Sequence, residues 1–159
     1  MDIEAKRHVL RMFSNGIYIL TSRSGEKYGG ATVTWVSQAS FKPPLVMAAV
    51  RPASNVYQCL RESGIAALHV VSTDQQGLAQ RFFKPTDVSN GLFNEEPFTV
   101  GKTGSPVLMS AAAYLECRVR HCVQTDGDHV VVVLEIVEAE SRHDIQPLTV
   151  AESPWQYGG

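Results

Sequence analysis

The stretch GGATVTWVSQASFKPPLVMAAV, Gly29 to Val50, decides the fold. Its first half has β-branched residues at nearly every step and predicts a strand over Tyr28–Gln38. Pro43-Pro44 then punctuates the chain. The apolar run LVMAAV, Leu45–Val50, reads as a buried strand, too short for a helix. The first strand is polar as well as branched: Thr32, Thr34, Ser37, Gln38 and Ser40 are many hydrogen-bonding side chains for a strand and its exit.

The flanking segments extend the same pattern. Upstream, Ile3, Val9, Leu10 and Phe13 fall roughly on one helical face, predicting a short helix over Ile3–Phe13 that ends near Asn15-Gly16. IYILTS, Ile17–Ser22, predicts a strand, closed by a Ser24-Gly25 turn. Downstream, Ser54 is placed to cap a helix to about Glu62, with Gly64 as its stop. IAALHVVS, Ile65–Ser72, predicts another strand. Thr73 and Gln76 form a possible capping box for a helix to Phe83. Lys84–Pro106 has little periodicity and three prolines, so it reads as a long loop of the binding, lid or subunit-contact kind. Tyr114–Gln124 and His129–Glu140 predict two long strands joined at an Asp126-Gly127 hairpin turn. About six strands and three short helices, with tight turns between neighbours, imply a mainly β, largely antiparallel barrel with helices at its ends.

At 159 residues the chain is expected to be a single domain over 1–159. It is 44% hydrophobic and 19% charged, an ordinary globular balance, with a net charge of −2. That charge argues against nucleic acid and anionic membranes as partners. No apolar run approaches the roughly 20 residues that cross a bilayer. The opening MDIEAKRHVL does not read as a secretory signal. Three cysteines without a CxxC pair suit a reducing compartment, so a cytoplasmic protein is expected. Neither G-x-G-x-x-G nor G-x-x-x-x-G-K-[ST] occurs.

Two segments are candidates for holding an anionic cofactor. One is the polar strand Thr32–Phe41. The other is Arg51-Pro52-Ala53-Ser54-Asn55, at a strand end and a helix start. A helix N-terminus offers free N–H groups to a phosphate, and Arg51 adds a full charge and a fork of donors. The same residues also fit a plainly capped helix with a solvated arginine, beside one wet strand face.

Gly29–Val50, the preceding GIYILTS, the later SNVYQCLRESGIAALHVVSTDQQGLAQRF, the GSPVL segment, DGDHVVVVLEIVEAE and the final PWQYGG form an ordered series. In order and spacing, over nearly the whole chain, the series resembles the flavin reductase-like, FMN-binding split-barrel family. That resemblance implies an antiparallel FMN-binding split β-barrel, a homodimer, and a flavin near the subunit interface. It implies hydride transfer from NADH or NADPH to FMN, with FAD as the alternative flavin, and a role as the reductase component of a two-component monooxygenase is compatible with it. An electron-transfer flavoprotein served by a protein partner and a non-catalytic flavin binder are alternatives on the same fold. Carried over by position, Thr32, Thr34, Trp35, Val36 and Ser37 line the flavin ring and ribityl chain. Ala39, Ser40 and Phe41 approach the ribityl or phosphate end. Arg51, Ser54 and Asn55 meet the phosphate, Arg81 and Phe82 close the site, and His129 faces flavin or nicotinamide as the candidate catalytic residue. Trp35 departs from the smaller residues usual at its position, and Thr34 from a frequent Asn.

Other residues are weighed against plainer roles. Cys117, His121, Cys122 and His129 are not expected to share a metal. Strand alternation puts Cys117 and Cys122 on opposite faces, and Cys117 to His121 spans roughly 13 Å. His69 reads as a satisfied core histidine, His8 and His143 as surface residues, and Cys59 as helix packing. Glu135, Glu138 and Glu140 suit a solvated strand edge or dimer rim. Trp155 and Tyr157 either cover the flavin, dock on a partner subunit, or belong to a frayed tail.

Overall fold

The run expected as one strand over Tyr28–Gln38 is two strands that belong to opposite edges of a sheet. The computed structural model describes residues 1–159. After helix α1 (Ile3–Arg11) come β1 (Tyr18–Ser24), β2 (Lys27–Val33), β3 (Val36–Ser40) and β4 (Leu45–Val50). Helix α2 (Asn55–Ser63), β5 (Ile65–Val70) and helix α3 (Gln76–Arg81) follow. Four short strands are next: β6 (Val88–Ser89), β7 (Leu92–Phe93), β8 (Glu96–Val100) and β9 (Pro106–Leu108). The long pair β10 (Ala113–Gln124) and β11 (Val130–Ser141) completes the set. The main sheet runs β2-β1-β5-β10-β11-β4-β3, and every pairing in it is antiparallel.

The two edge strands, β2 and β3, are joined by Thr34 and Trp35 alone. Two residues reach only about 7 Å. The seven-stranded sheet must therefore roll until its edges nearly meet, yet β2 and β3 do not pair. The barrel is split at this junction. Trp35 O accepts from Ala49 N (3.0 Å), and Thr32 N donates to Phe82 O (3.2 Å) beyond α3. Each edge is thus satisfied by something other than its neighbour across the gap.

Two apolar clusters flank the wall. Leu20 of β1 points inward with Val46, Val50, Leu60, Leu68, Val132 and Leu134, where α2 plugs the barrel. Its neighbour Ile19 points outward into a second cluster with Leu78, Phe82, Phe93, Leu108 and Leu148. That alternation buries β1 on both faces. Helix α2 is capped by the Ser54 hydroxyl (Tyr57 N, 3.3 Å) and stopped by Gly64 at φ 73°. Gly29 lets β2 pass directly against the helix start, where a Cβ would overlap the backbone of Asn55 and Val56. Helix α1, by contrast, buries none of its residues. No helix of the chain is long and apolar enough to cross a membrane.

Four expectations need correction. Residues 84–106 are not a structureless loop: they form most of a second sheet, β6-β7-β8-β9. Its strands are too short to show periodicity, and its turns use Asn90, Asn94 and Glu95 at positive φ. The strand count is eleven rather than six, because these four short strands are added and the Tyr28–Gln38 run is two strands. Thr73 makes no capping box, since the Gln75 side chain accepts from Ser72 N instead (3.2 Å). Cys117 and Cys122 do not face oppositely. Between Val119 and His121 the register shifts, and the extra residue, Arg120, turns Cys122 back toward the cluster that holds Cys117. Burial there pushes the Cys117 thiol up to about 12.

Candidate functional site at the split

A cleft of about 540 Å³ opens where the barrel fails to close. Thr32, Thr34 and Trp35 from the junction, Arg51 and Ser54 ahead of α2, and Phe82 and Phe83 after α3 all line it. His129, Ser153, Trp155, Gln156 and Tyr157 complete the rim. Most of the lining is hydrophobic, so a flat apolar ring fits the interior, and the few polar groups would set its orientation.

Those polar groups differ sharply in how they are satisfied. The Thr32 hydroxyl donates to Ala79 O (2.6 Å) and ties β2 to α3. Ser54 Oγ donates to Arg51 O (2.7 Å) while capping α2. Thr34 Oγ1 is buried and has no hydrogen-bond partner. It stands at the junction where neither edge ladder can reach it. Arg51 forms no ion pair, in a chain where several arginines do. It lies at the start of α2, whose first N–H groups have no intrahelical partners. An unpaired cation and a helix N-terminus together favour an anion at that end of the cleft.

The aromatic side is built around Trp35. Its indole lies 4.6 Å from the His129 ring and 5.4 Å from the Tyr157 ring, centroid to centroid, both tilted. His129 Nδ1 sits 2.7 Å from Asp128 Oδ1, which fixes the ring and holds the Asp128 carboxyl below the usual range. Trp155 packs edge-on against Phe83 at 4.8 Å.

The structure thus brings Thr32, Thr34, Trp35, Arg51, Ser54, Phe82 and His129 to one cleft. The other expected residues lie elsewhere in the single chain. Val36 and Ser37 line a second cleft of about 380 Å³ beyond Trp35, with Leu10 and Phe13 from the α1 end. Ala39, Ser40 and Phe41 sit at the outer end of β3, where Phe41 is 86% exposed, and line neither cleft. Asn55 begins α2 with an exposed side chain outside the cleft lining. Arg81 faces away: Glu96 and Glu95 hold its guanidinium, and Ser110 bonds the other oxygen of Glu96. Sequence reasoning missed Ala49, Phe83, Ser153 and Gln156. The Phe82-Phe83 pair was the available signal, since a helix end can bury only one of two adjacent aromatics.

Residues 10–156 match the family described as flavin reductase like domain. The chain is 32% identical over 143 residues to the FMN reductase (NADH) SmoA of Agrobacterium fabrum, covering 89% of this chain and 78% of that protein. It is 29% identical over 138 residues to an NADH:FMN oxidoreductase of Rhodococcus erythropolis, covering 87% and 70%. Some relatives are longer, and the chain spans 44% of a probable flavin reductase of Rhizobium meliloti. Among solved structures, BorF, the flavin reductase component of a bacterial two-component tryptophan halogenase, superposes with a TM-score of 0.77 at 25% identity. That match covers 93% of this chain and 92% of BorF. NADH:FAD oxidoreductase SgcE6 of Streptomyces globisporus, in complex with NAD and FAD fragments, gives 0.78 at 24% identity, covering 92% and 86%. The chain belongs to the flavin reductase-like family, and its fold is the mainly antiparallel split barrel of that family.

Proposed function

We propose that this protein is an NAD(P)H-dependent flavin reductase that binds FMN in the cleft at the split. FAD is the alternative flavin. The observation that carries the reading is the pairing of an unpartnered Arg51, at the α2 N-terminus, with an apolar cleft whose far wall holds the orphaned Thr34 hydroxyl. Such a cleft has one end for an anion, a slot for a flat ring, and one buried polar atom waiting for the ring's edge. The residues present therefore fit a flavin mononucleotide.

Flavin, when bound, supplies a two-electron acceptor that takes hydride. The chain's own residues bind and orient. Arg51 and the α2 N–H groups would hold the phosphate. Thr34 would offer its hydroxyl to a polar atom of the flavin, while Thr32 keeps its wall in place from α3. Trp35 and Phe83 would give the flavin apolar contact. His129, held by Asp128, stands beside Trp35 and would orient the bound rings. Alignment of two bound rings is enough to drive transfer without a side-chain acid or nucleophile.

A homodimer fits the surface. Phe13, Phe41 and Met47 are large, apolar and exposed at or beside α1, β3 and β4. A second copy against this face would bring Phe41 and its neighbours toward a shared site. Relatives named as reductase components support release of reduced flavin to a partner oxygenase or halogenase. Cytoplasmic location fits that chemistry.

The test is direct. The purified protein is loaded with FMN, its visible spectrum is recorded, and NADH or NADPH is added without oxygen. Rapid bleaching is expected. A protein that takes up neither FMN nor FAD, or a bound flavin that neither donor bleaches, would sink the reading.

A further inference from the structure

The C-terminal segment is fixed in two unequal parts. Ser153 is anchored, with Oγ donating to Val150 O (2.8 Å) and accepting from Trp155 N (3.2 Å), and Trp155 is packed on Phe83. Beyond Trp155 the attachments thin out. Tyr157 leans on Trp35, and Gly158 O accepts one long bond from Arg11 Nε (3.4 Å). Gly158 and Gly159 both have φ of 98° and belong to no strand or helix. Gly159 packs on Arg7, so apart from Trp35 the tail is moored on α1, the one helix that buries nothing.

The tail also crosses between the two clefts. Tyr157 lines the larger one, and Gly158 and Gly159 line the smaller, with Trp35 shared by both. The Tyr157 ring is therefore on the flavin side of the indole. Trp35 itself remains 38% exposed. An exposed indole offers a stacking surface to a flat heteroaromatic ring, and here another aromatic ring already uses it.

We propose that Tyr157 is a gate on binding of the hydride donor, resting on the reading of this cleft as a flavin reductase site. In the donor-free protein Tyr157 holds the place beside Trp35 that a nicotinamide ring takes. Entry of the dinucleotide requires residues 156–159 to swing away on the pivot at Ser153–Trp155. The donor's apparent affinity is then reduced by the fraction of molecules in which the tail is closed. A partly exposed aromatic contact of this kind corresponds to about a 2- to 10-fold bias.

The test uses flavin-loaded protein and a calorimetric titration with NAD+ or NADP+, whichever reduced form bleaches the flavin. These oxidised dinucleotides report binding without turnover. Tyr157→Ala, and a chain ending at Trp155, should bind the dinucleotide about 2- to 10-fold more tightly, with the kinetic change falling in KM for the donor rather than in kcat. Arg11→Ala, which lies outside the flavin cleft and releases only the mooring, should act in the same direction. Tyr157→Phe keeps the ring and should match the parent. Equal or weaker dinucleotide binding by Tyr157→Ala and by the shortened chain would overturn the gate. A parent that binds no flavin, or whose flavin neither donor bleaches, removes the reductase reading and the gate together. A parent that is bleached while its variants bind dinucleotide unchanged removes the gate alone.

Discussion

Two polar regions of this molecule are wired in opposite ways. On the closed side of the barrel, every buried polar group has found its partners. His69 Nδ1 donates to Ile19 O (3.0 Å), and its Nε2 accepts from Leu108 N (3.1 Å), so one neutral imidazole bridges β1, β5 and β9. The buried Glu116 carboxylate accepts from Lys102 N (3.0 Å), Thr103 N (2.8 Å) and Thr103 Oγ1 (2.6 Å). At the split, the Thr34 hydroxyl is buried without a partner, and the Arg51 guanidinium, exposed at the cleft, forms no ion pair. Satisfied groups hold the fold, whereas orphaned ones beside a cleft await a ligand. If the comparison is sound, substitutions on the closed side damage stability, and those at the split damage binding.

The largest effect is expected on the closed side. Glu116→Ala takes the carboxylate acceptor from the Lys102 and Thr103 N–H groups, leaves the Thr103 hydroxyl only Ser105, and opens a cavity under the Gly101–Ser105 loop. A loss of about 3–5 kcal/mol is expected from urea unfolding of the flavin-free protein. A loss under about 1 kcal/mol would show that the loop simply turns to water.

His69 makes the same point through pH. Burial is the main cause that lowers its ionisation from the ordinary 6.5 to about 4. Between those values the unfolded chain binds a proton that the folded chain does not, so stability rises with pH through this window. The contribution is complete above about pH 6.5 and is lost as pH falls toward 4. It amounts to about 3 kcal/mol. His69→Gln, which keeps one donor and one acceptor, should flatten that part of the stability–pH curve. A curve equally steep in His69→Gln would place the dependence elsewhere.

At the split the currency changes to affinity. Arg51→Ala should leave unfolding nearly unaltered and weaken FMN by about 10- to 100-fold, the range for a charge-assisted bond to phosphate. Riboflavin, which lacks the phosphate, should bind as before. Equal weakening of FMN and riboflavin would take the phosphate away from Arg51.

How much of this was legible in the sequence follows from how local each signal is. Ser54 and Gly64 bracket α2 as expected because a cap and a left-handed stop are decided by a few neighbouring atoms. LVMAAV and the β10–β11 hairpin were equally readable. The break at Thr34-Trp35 was not. ATVTWVS reads as one uninterrupted strand, and only the rolling of the whole sheet puts its halves on opposite edges. Arg120's extra residue in β10 was hidden for a similar reason, since a bulge answers to the partner strand. Of the site, Thr32, Arg51 and His129 were readable by position along the chain. Arg81 misled because its charge is taken up by Glu96, fifteen residues on, in a sheet with no sequence periodicity.

The smallest effect is the most discriminating, because its two consequences have opposite signs. Thr34→Val replaces a buried, unpartnered hydroxyl by a methyl group of similar shape. In the flavin-free protein this removes the cost of burying a polar atom without a bond, and stability should rise by about 1 kcal/mol. In the flavin-loaded protein the same change removes a bond to the ring edge, and affinity should fall by about 5- to 10-fold. A purely structural threonine cannot do both. Were Thr34 simply part of the wall, Thr34→Val would shift unfolding alone. Were its hydroxyl bonded to solvent in the flavin-free protein, that protein would gain nothing. Paired urea-unfolding and flavin-titration measurements on this one variant therefore ask whether the gap in the barrel was left polar for a ligand's sake.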